Sequence, residues 1–280
     1  MLLDLECVKV DVSRALAEDV GTGDVSSVLI PENRIASADV ISREPMLVCG
    51  IPWFNTVMTE VNPVLKVSWL VKEGQWLNEP RVLCHIHGPA SSLLTAERTA
   101  LNFLQTLSAT ATETYRYISA LQGLPTRLLD TRKTIPGLRF AQKYAVVCAG
   151  GVNHRMGLYD AILIKENHIT ACGSIRLAIE KARQISPSLF LEVEVETLTQ
   201  LREAFDMEPD RILLDNFSVD NLQAAVQMNT PKRCDLEASG GVNLSTVRTI
   251  AETGVDFISV GSITKSIQAI DLSLLIRKIS

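Results

Sequence analysis

Leu189-Phe-Leu-Glu-Val-Glu-Val195 and, one helical stretch later, Arg211-Ile-Leu-Leu-Asp215 decide the fold. Two short apolar runs separated by a helix call for parallel strands joined by a right-handed crossover. The same form recurs at Thr126 to Leu129, Ala161 to Ile164, Asp235 to Ala238 and Asp256 to Val260. Five runs close alike, in Leu-Leu-Asp130, Leu-Ile-Lys165, Leu-Leu-Asp215, Glu-Ala-Ser239 and Ser-Val-Gly261. In a (β/α) barrel such positions converge on one face, where active sites are built. A doubly wound sheet offers a single switch point instead, so five functional strand ends favour the barrel.

Upstream the punctuation changes. An amphipathic opening helix leads into Glu18-Asp-Val-Gly-Thr-Gly-Asp-Val-Ser-Ser27, a turn-rich stretch suited to cap or order a loop. The β-like runs Ala36 to Ser42, Val64 to Val71 and Arg81 to Ile86, broken by Gly50, Pro52, Pro63 and Gly74, predict a small sheet domain. A long helix from Ser91 to about Leu121 follows and is expected to join the two parts.

With 280 residues and 46% hydrophobic content the chain can bury a full core. A formal charge of -5 and a pI near 5.5 exclude global attraction to nucleic acid or an anionic membrane, so an anionic ligand must meet a local cationic pocket. The acids Asp4, Glu6, Asp11, Glu18 and Asp19 stand where a signal peptide carries its basic head, and no apolar run reaches membrane-helix length. The six cysteines form no CxxC pair and read as reduced thiols of a cytoplasmic protein. Cys84, His85 and His87 sit on an alternating strand pattern without a second ligand pair, so zinc ligation is not expected there.

The densest chemistry is Asp130-Thr-Arg-Lys-Thr-Ile-Pro-Gly137, which places Arg132 and Lys133 just beyond a strand, with Arg139 and Lys143 following. Gly150-Gly-Val-Asn-His-Arg155 and Asp160-Ala-Ile-Leu-Ile-Lys-Glu-Asn-His168 add His154, Arg155, Lys165 and His168. Lys165 ends an apolar strand, where a buried stem and free ammonium suit an anion. Glu192 and Glu194 share one face of their strand and, with Asp215, need a cation, a metal or ligand hydroxyls, an internal ion pair being the alternative. Glu237-Ala-Ser-Gly-Gly-Val242 and Val260-Gly-Ser-Ile-Thr264 join the last two strands to helix starts, where backbone amides can cradle a phosphate. Arg98, Arg132, Lys133, Arg155 and Lys165 together suit a polyanionic sugar phosphate and a second anionic substrate.

At this point the residues resemble a family, the quinolinate phosphoribosyltransferases, also called carboxylating nicotinate-nucleotide pyrophosphorylases. The resemblance runs nearly end to end. It rests on Glu18-Asp-Val-Gly-Thr-Gly-Asp24, Ala96-Glu-Arg-Thr-Ala-Leu-Asn-Phe-Leu104, Asp130-Thr-Arg-Lys-Thr-x-Pro-Gly137, His154-Arg155, Lys165-Glu-Asn-His-Ile169, Glu192-Val-Glu-Val195, Leu214-Asp-Asn216 and Ser239-Gly-Gly241. It implies an open α/β barrel over residues 111–265 and a small N-terminal α/β sandwich over 1–110, joined by a C-terminal helix at 266–280. The implied assembly is a homodimer in which Arg98 reaches the neighbouring site.

The resemblance further implies that quinolinate carboxylates meet Arg132, Arg155, His154 and Lys165, supported by Arg98, with Thr131 and Lys133 in the same loop. Catalysis falls to Lys133, Lys165, Glu194 and Asp215, the last two near the ribose hydroxyls and Mg²⁺. Ser239, Gly240, Gly241, Val260, Gly261 and Ser262 are expected to hold the 5′-phosphate. The implied reaction joins quinolinate to phosphoribosyl pyrophosphate, with release of pyrophosphate and CO2, in NAD biosynthesis. Ala149 in place of a glycine, and Glu166 where the family has Asp, depart from the pattern without touching these residues. Glu192 and Glu194 can exchange roles if the strand register shifts, and Glu194 is the choice here.

Three rivals remain at the level of sequence. A molybdenum-transport-associated homologue keeps the fold and changes the substrate, against which the full cationic set argues. A non-catalytic sugar-phosphate binder would not need the buried acids. A barrel aldolase would use Lys165 as its Schiff-base amine, which nothing else in the motifs demands.

Overall fold

The computed structural model describes residues 3–31 and 33–280, leaving Met1, Leu2 and Glu32 outside. The chain divides into two compact units, one of Met1–Tyr115, Ile135–Gly150 and Ser266–Ser280, the other of Arg116–Thr134 and Gly151–Lys265. The division differs from the expected one in two places. It falls inside the long helix Ala90–Ala120, after Tyr115, and it assigns Ile135–Gly150 to the first unit.

The first unit carries a four-stranded sheet in the order Leu272–Ile279, Ile35–Ser42, Arg81–Pro89, Lys66–Trp69, antiparallel throughout. The C-terminal segment corrects the expected helix, because Leu272–Ile279 is a strand paired from Ala36↔Ile279 to Ser42↔Leu272. Leu272, Leu275, Ile276 and Ile279 also fall at helical spacing, so periodicity alone misleads. Pairing wins because it covers the backbone donors and acceptors of an otherwise open edge of Ile35–Ser42.

Helix Leu5–Asp19 starts at Asp4, whose carboxylate accepts the Glu6 N–H at 2.9 Å. Asp24 of the turn-rich motif accepts the N–H groups of Ser26 and Ser27 at 2.9 and 3.1 Å and the Thr95 hydroxyl at 2.8 Å, ordering the loop as its sequence suggests. The core is apolar and aromatic. Trp53 is fully buried, lies 5.2 Å from the Tyr144 ring and 6.2 Å from Phe140, and donates to Asp11 Oδ2 at 3.1 Å. Those aromatic contacts explain why helix Arg139–Cys148, expected in the barrel, packs in this unit and buries Lys143 with it. Cys84 faces the core, while His85 and His87 on the opposite face meet Asp39 at 2.7 Å and Ser37 at 3.0 Å. Strand alternation therefore splits the trio.

The second unit contains all six expected strands: Arg127–Leu129, Ile162–Ile164, Leu191–Val195, Arg211–Asp215, Asp235–Ser239 and Phe257–Ser259. Counted in that order they lie side by side as 2-3-4-5-6-1, all parallel. A monotonic order whose first strand pairs with the last is a barrel opened between strands one and two. At the gap only Leu129 bridges to Val152, among the described residues. Three crossover helices begin at side-chain caps, Ser174 accepting from Leu177, Thr197 from Gln200 and Ser218 from Asn221, so those chain reversals are locally encoded.

Candidate active site

At the carboxyl ends of the barrel strands lies a cavity of ≈ 460 Å³. Thr131, Arg132 and Lys133 follow the first strand, Lys165 the second, and Glu194, Asp215, Ser239 and Ser259 come from the other four. His154 and Arg155 enter from the loop beside the gap. All but these two side chains are thus carried at or just beyond a strand end, as the barrel reading requires.

The loop after strand one is fixed by its own hydrogen bonds: the Lys133 N–H donates to Thr131 Oγ1 at 3.0 Å, and Thr264 Oγ1 donates to the Lys133 carbonyl at 2.7 Å. Arg155 donates to the Ala161 carbonyl at 3.4 Å, and burial together with the charge of Arg132 pulls its guanidinium below the ordinary value. Two guanidiniums that repel each other across a concave surface favour an anion between them. Lys165 pairs with Glu194. Burial, then the charge of Glu194, pushes the Asp215 carboxyl up, while Lys165 and Lys133 draw it back. Asn216 donates to Asp215 at 2.8 Å.

Beneath the cavity is a charged layer that the sequence reading did not assemble. Asp130 is fully buried and accepts the His154 N–H at 2.8 Å and Asn153 Nδ2 at 2.6 Å, tying the loop to the end of strand one. His154 Nδ1 accepts the Arg155 N–H at 2.7 Å, which leaves the ring proton on Nε2, 2.9 Å from Glu192 and 3.7 Å from Glu237. Arg211 donates to Glu237 at 3.0 Å and lies over the Phe257 ring at 4.0 Å. Burial and the neighbouring Glu192 push Glu237 up to about 8, and burial likewise raises Glu192. The signal for this layer was available, since period two turns Glu192, Arg211 and Glu237 inward with Glu194, Asp215 and Ser239.

The expected site residues separate accordingly. Glu194 lines the cavity, whereas Glu192 is buried in the ion cluster, so the two acids differ in depth though they share a face. His154 lines the cavity but turns both ring nitrogens toward protein groups. His168 caps its helix through Nδ1, which accepts the Lys165 N–H at 3.0 Å. Gly240, with φ +94, lies so close to Asn216 that a Cβ would fall 2.1 Å from its Oδ1, and no other residue fits. Gly240, Gly241, Gly261 and Ser262 continue directly from the cavity-lining Ser239 and Ser259. Val260 differs, since its N–H donates to the Leu129 carbonyl at 3.0 Å and its side chain is buried. That amide is committed to the sheet. Arg98, in the other unit, is exposed on helix Ala90–Ala120, 3.9 Å from Glu97.

Residues 110–275 match the quinolinate phosphoribosyl transferase C-terminal domain, and residues 24–108 match the N-terminal domain of the same family. A nicotinate-nucleotide pyrophosphorylase [carboxylating] of Mycobacterium leprae is 40% identical, over 98% of this chain and 99% of the relative. The corresponding probable enzyme of Bacillus subtilis is 40% identical over 92% and 89%. Among solved structures, the nicotinate-nucleotide pyrophosphorylase from Francisella tularensis superposes with a TM-score of 0.95 at 43% identity, covering 99% of this chain and 98% of that one. Two domain matches in register, full-length relatives and a shared fold all agree: the chain belongs to the quinolinate phosphoribosyl transferase family.

Proposed function

We propose that this protein transfers the phosphoribosyl group of phosphoribosyl pyrophosphate to quinolinate, releasing pyrophosphate and CO2 and forming nicotinate mononucleotide for NAD biosynthesis. The observation that carries the proposal is that Arg132, Lys133, Arg155 and Lys165 line one cavity together with Glu194 and Asp215, where a dicarboxylate can meet the two guanidiniums. Bidentate contacts at the two guanidiniums orient the ring. The alternative, a surface charge cluster, does not account for cations gathered from two strand ends and a loop into the cavity that Glu194 and Asp215 also line.

Glu194 and Asp215 are hard oxygen donors whose charges act on one another, which fits Mg²⁺, held directly or through water. Bound there, the ion supplies positive charge opposite the departing pyrophosphate. The protein's own groups do the remainder. As the bond to pyrophosphate lengthens, the ribose carbon becomes cationic and the carboxylates of Glu194 and Asp215 steady it. The quinolinate nitrogen attacks that carbon, and its new positive charge draws electrons from the adjacent carbon–carboxylate bond. Lys133 and Lys165 control charge and water around the ring during that loss, and the ring carbon left with the electron pair takes up a proton from that water. The amides of Gly240, Gly241, Gly261 and Ser262, with the Ser239 hydroxyl, hold the 5′-phosphate.

Arg98 completes the site of a second subunit in a homodimer, a reading supported by its exposed guanidinium. Six free cysteines fit a cytoplasmic location, and among the described residues no helix is long and apolar enough to cross a membrane.

Incubating the purified protein with quinolinate, phosphoribosyl pyrophosphate and Mg²⁺ tests the reaction. Nicotinate mononucleotide and CO2 are expected in equal amounts from quinolinate and none from nicotinate. A folded dimer without product would refute the reading in favour of a binding or transport-associated role.

A further inference from the structure

The first unit holds a group of side chains that phosphoribosyl chemistry leaves unused. The sulfurs of Cys49 and Cys148 and a carboxylate oxygen of Glu73 lie within 4.8 Å of one another. They arrive from three separate segments: the residues leading into helix Ile51–Val61, the turn between strands Lys66–Trp69 and Trp76–Leu77, and the last residue of helix Arg139–Cys148.

The surroundings hold each group in place. Glu73 Oε1 accepts the Gly50 N–H at 2.8 Å and Oε2 accepts the Ile51 N–H at 3.0 Å, which aims the carboxylate so that its remaining lone pairs meet the Cys49 thiol and the Tyr144 hydroxyl. Cys49 is clamped by Ser108, whose hydroxyl accepts the Cys49 N–H at 3.0 Å and donates to the Cys49 carbonyl at 2.9 Å. Gly74, with φ +77, lets the turn lie against Cys148, where a Cβ would meet its sulfur at 3.6 Å. Tyr144 stands one turn before Cys148, and the neighbours acting most on its hydroxyl are Glu73, Cys49 and Cys148, all acidic groups. Burial and the same acidic company raise the Cys49 thiol. The buried Cys49 and the half-buried Glu73, Cys148 and Tyr144, all groups that ionise to anions, thus share one point.

We propose that Cys49, Cys148 and Glu73 form a binding site for a single thiophilic divalent cation of the zinc class. Tetrahedral zinc places two thiolates roughly 3.7 Å apart, at Zn–S distances of about 2.3 Å, so only a small contraction closes the site. Two sulfurs select zinc over magnesium or calcium. Hydrogen-bonded carboxylates are the usual support of a metal ligand, and Glu73 has that support from Gly50 and Ile51. The fourth position falls to water, with the half-buried Cys148 as the way in. Binding releases the two thiol protons to solvent and clips the end of helix Arg139–Cys148 to the start of helix Ile51–Val61.

The test uses the full chain, reduced and freed of metal, titrated with Zn²⁺ and, for spectroscopy, with Co²⁺. Thiolate-to-cobalt charge-transfer absorption saturating at one equivalent is expected, with a higher unfolding temperature in Zn²⁺. Cys148→Ser and, separately, Glu73→Gln should lose or weaken both effects while keeping phosphoribosyl transfer. No charge-transfer band, a band unchanged in both variants, or a Cys49–Cys148 disulfide in the Zn²⁺-treated chain would overturn the site.

Discussion

Both units have an apolar core, and they differ in the charge that the second buries beside it. The first packs Trp53, Phe54, Met46, Met58, Leu83 and Ile86, all essentially without solvent contact. The second buries Asp130, Glu192 and Glu237 inside its barrel, with Arg211 and His154 against them. Apolar filling returns transfer free energy with every methylene, whereas a buried charge cluster roughly offsets its own desolvation and gains geometric definition instead. The first unit is built to stay folded. The second spends interior volume on holding Arg155 and its loop still beneath the ligand.

If that contrast is right, Trp53→Ala should have the largest effect on stability, about 3–5 kcal/mol, read as a lower denaturant midpoint. A loss below about 1 kcal/mol would mean that the aromatic contacts with Phe140 and Tyr144 are incidental. Arg132→Ala should act on chemistry instead, lowering kcat/KM for quinolinate by about 10²–10³ with an unchanged unfolding curve, because Lys133 has no planar fork to replace it. Unchanged kinetics would remove Arg132 from the site.

Glu237→Gln distinguishes the interiors through pH. Its folded-state value, about 8, exceeds the ordinary 4.5, so between them the folded chain binds the extra proton and stability falls as pH rises. The contribution is at most about 1.4 kcal/mol per pH unit. The variant should flatten the dependence of unfolding free energy on pH across that window, and an unaltered slope would show that Glu237 is ionised. Thr197→Ala, removing a helix cap on the outside of the barrel, should cost about 1 kcal/mol and leave kinetics alone.

The strands that carry the site were legible because period and punctuation coincide there: the apolar runs are short, five close on a charged, hydroxyl or glycine residue, and three lead to capped helices. The cations and acids of the cavity were legible for the same reason, since a strand end in a barrel has one destination. What failed to show was depth and partnership. Glu192 and Glu194 are identical in type and face, and only the closed curvature of the sheet makes one an ion-pair member and the other a cavity wall. The C-terminal strand was expected as a helix from the resemblance, its spacing serves both, and the open edge that recruits it lies more than two hundred residues earlier in the chain.

The sequence by itself determined the order of strands and helices, the barrel, the charge of the pocket and the residues that reach it. These are local properties: hydrophobic period, turn chemistry and residue type act within a few positions of the chain. The tertiary structure alone decided that Ile135–Gly150 packs with the first unit, that His154 is held by Glu192, and that Cys49, Glu73 and Cys148 meet. Such contacts join residues far apart in the chain, and burial, which exists only once the chain has closed on itself, sets their energies.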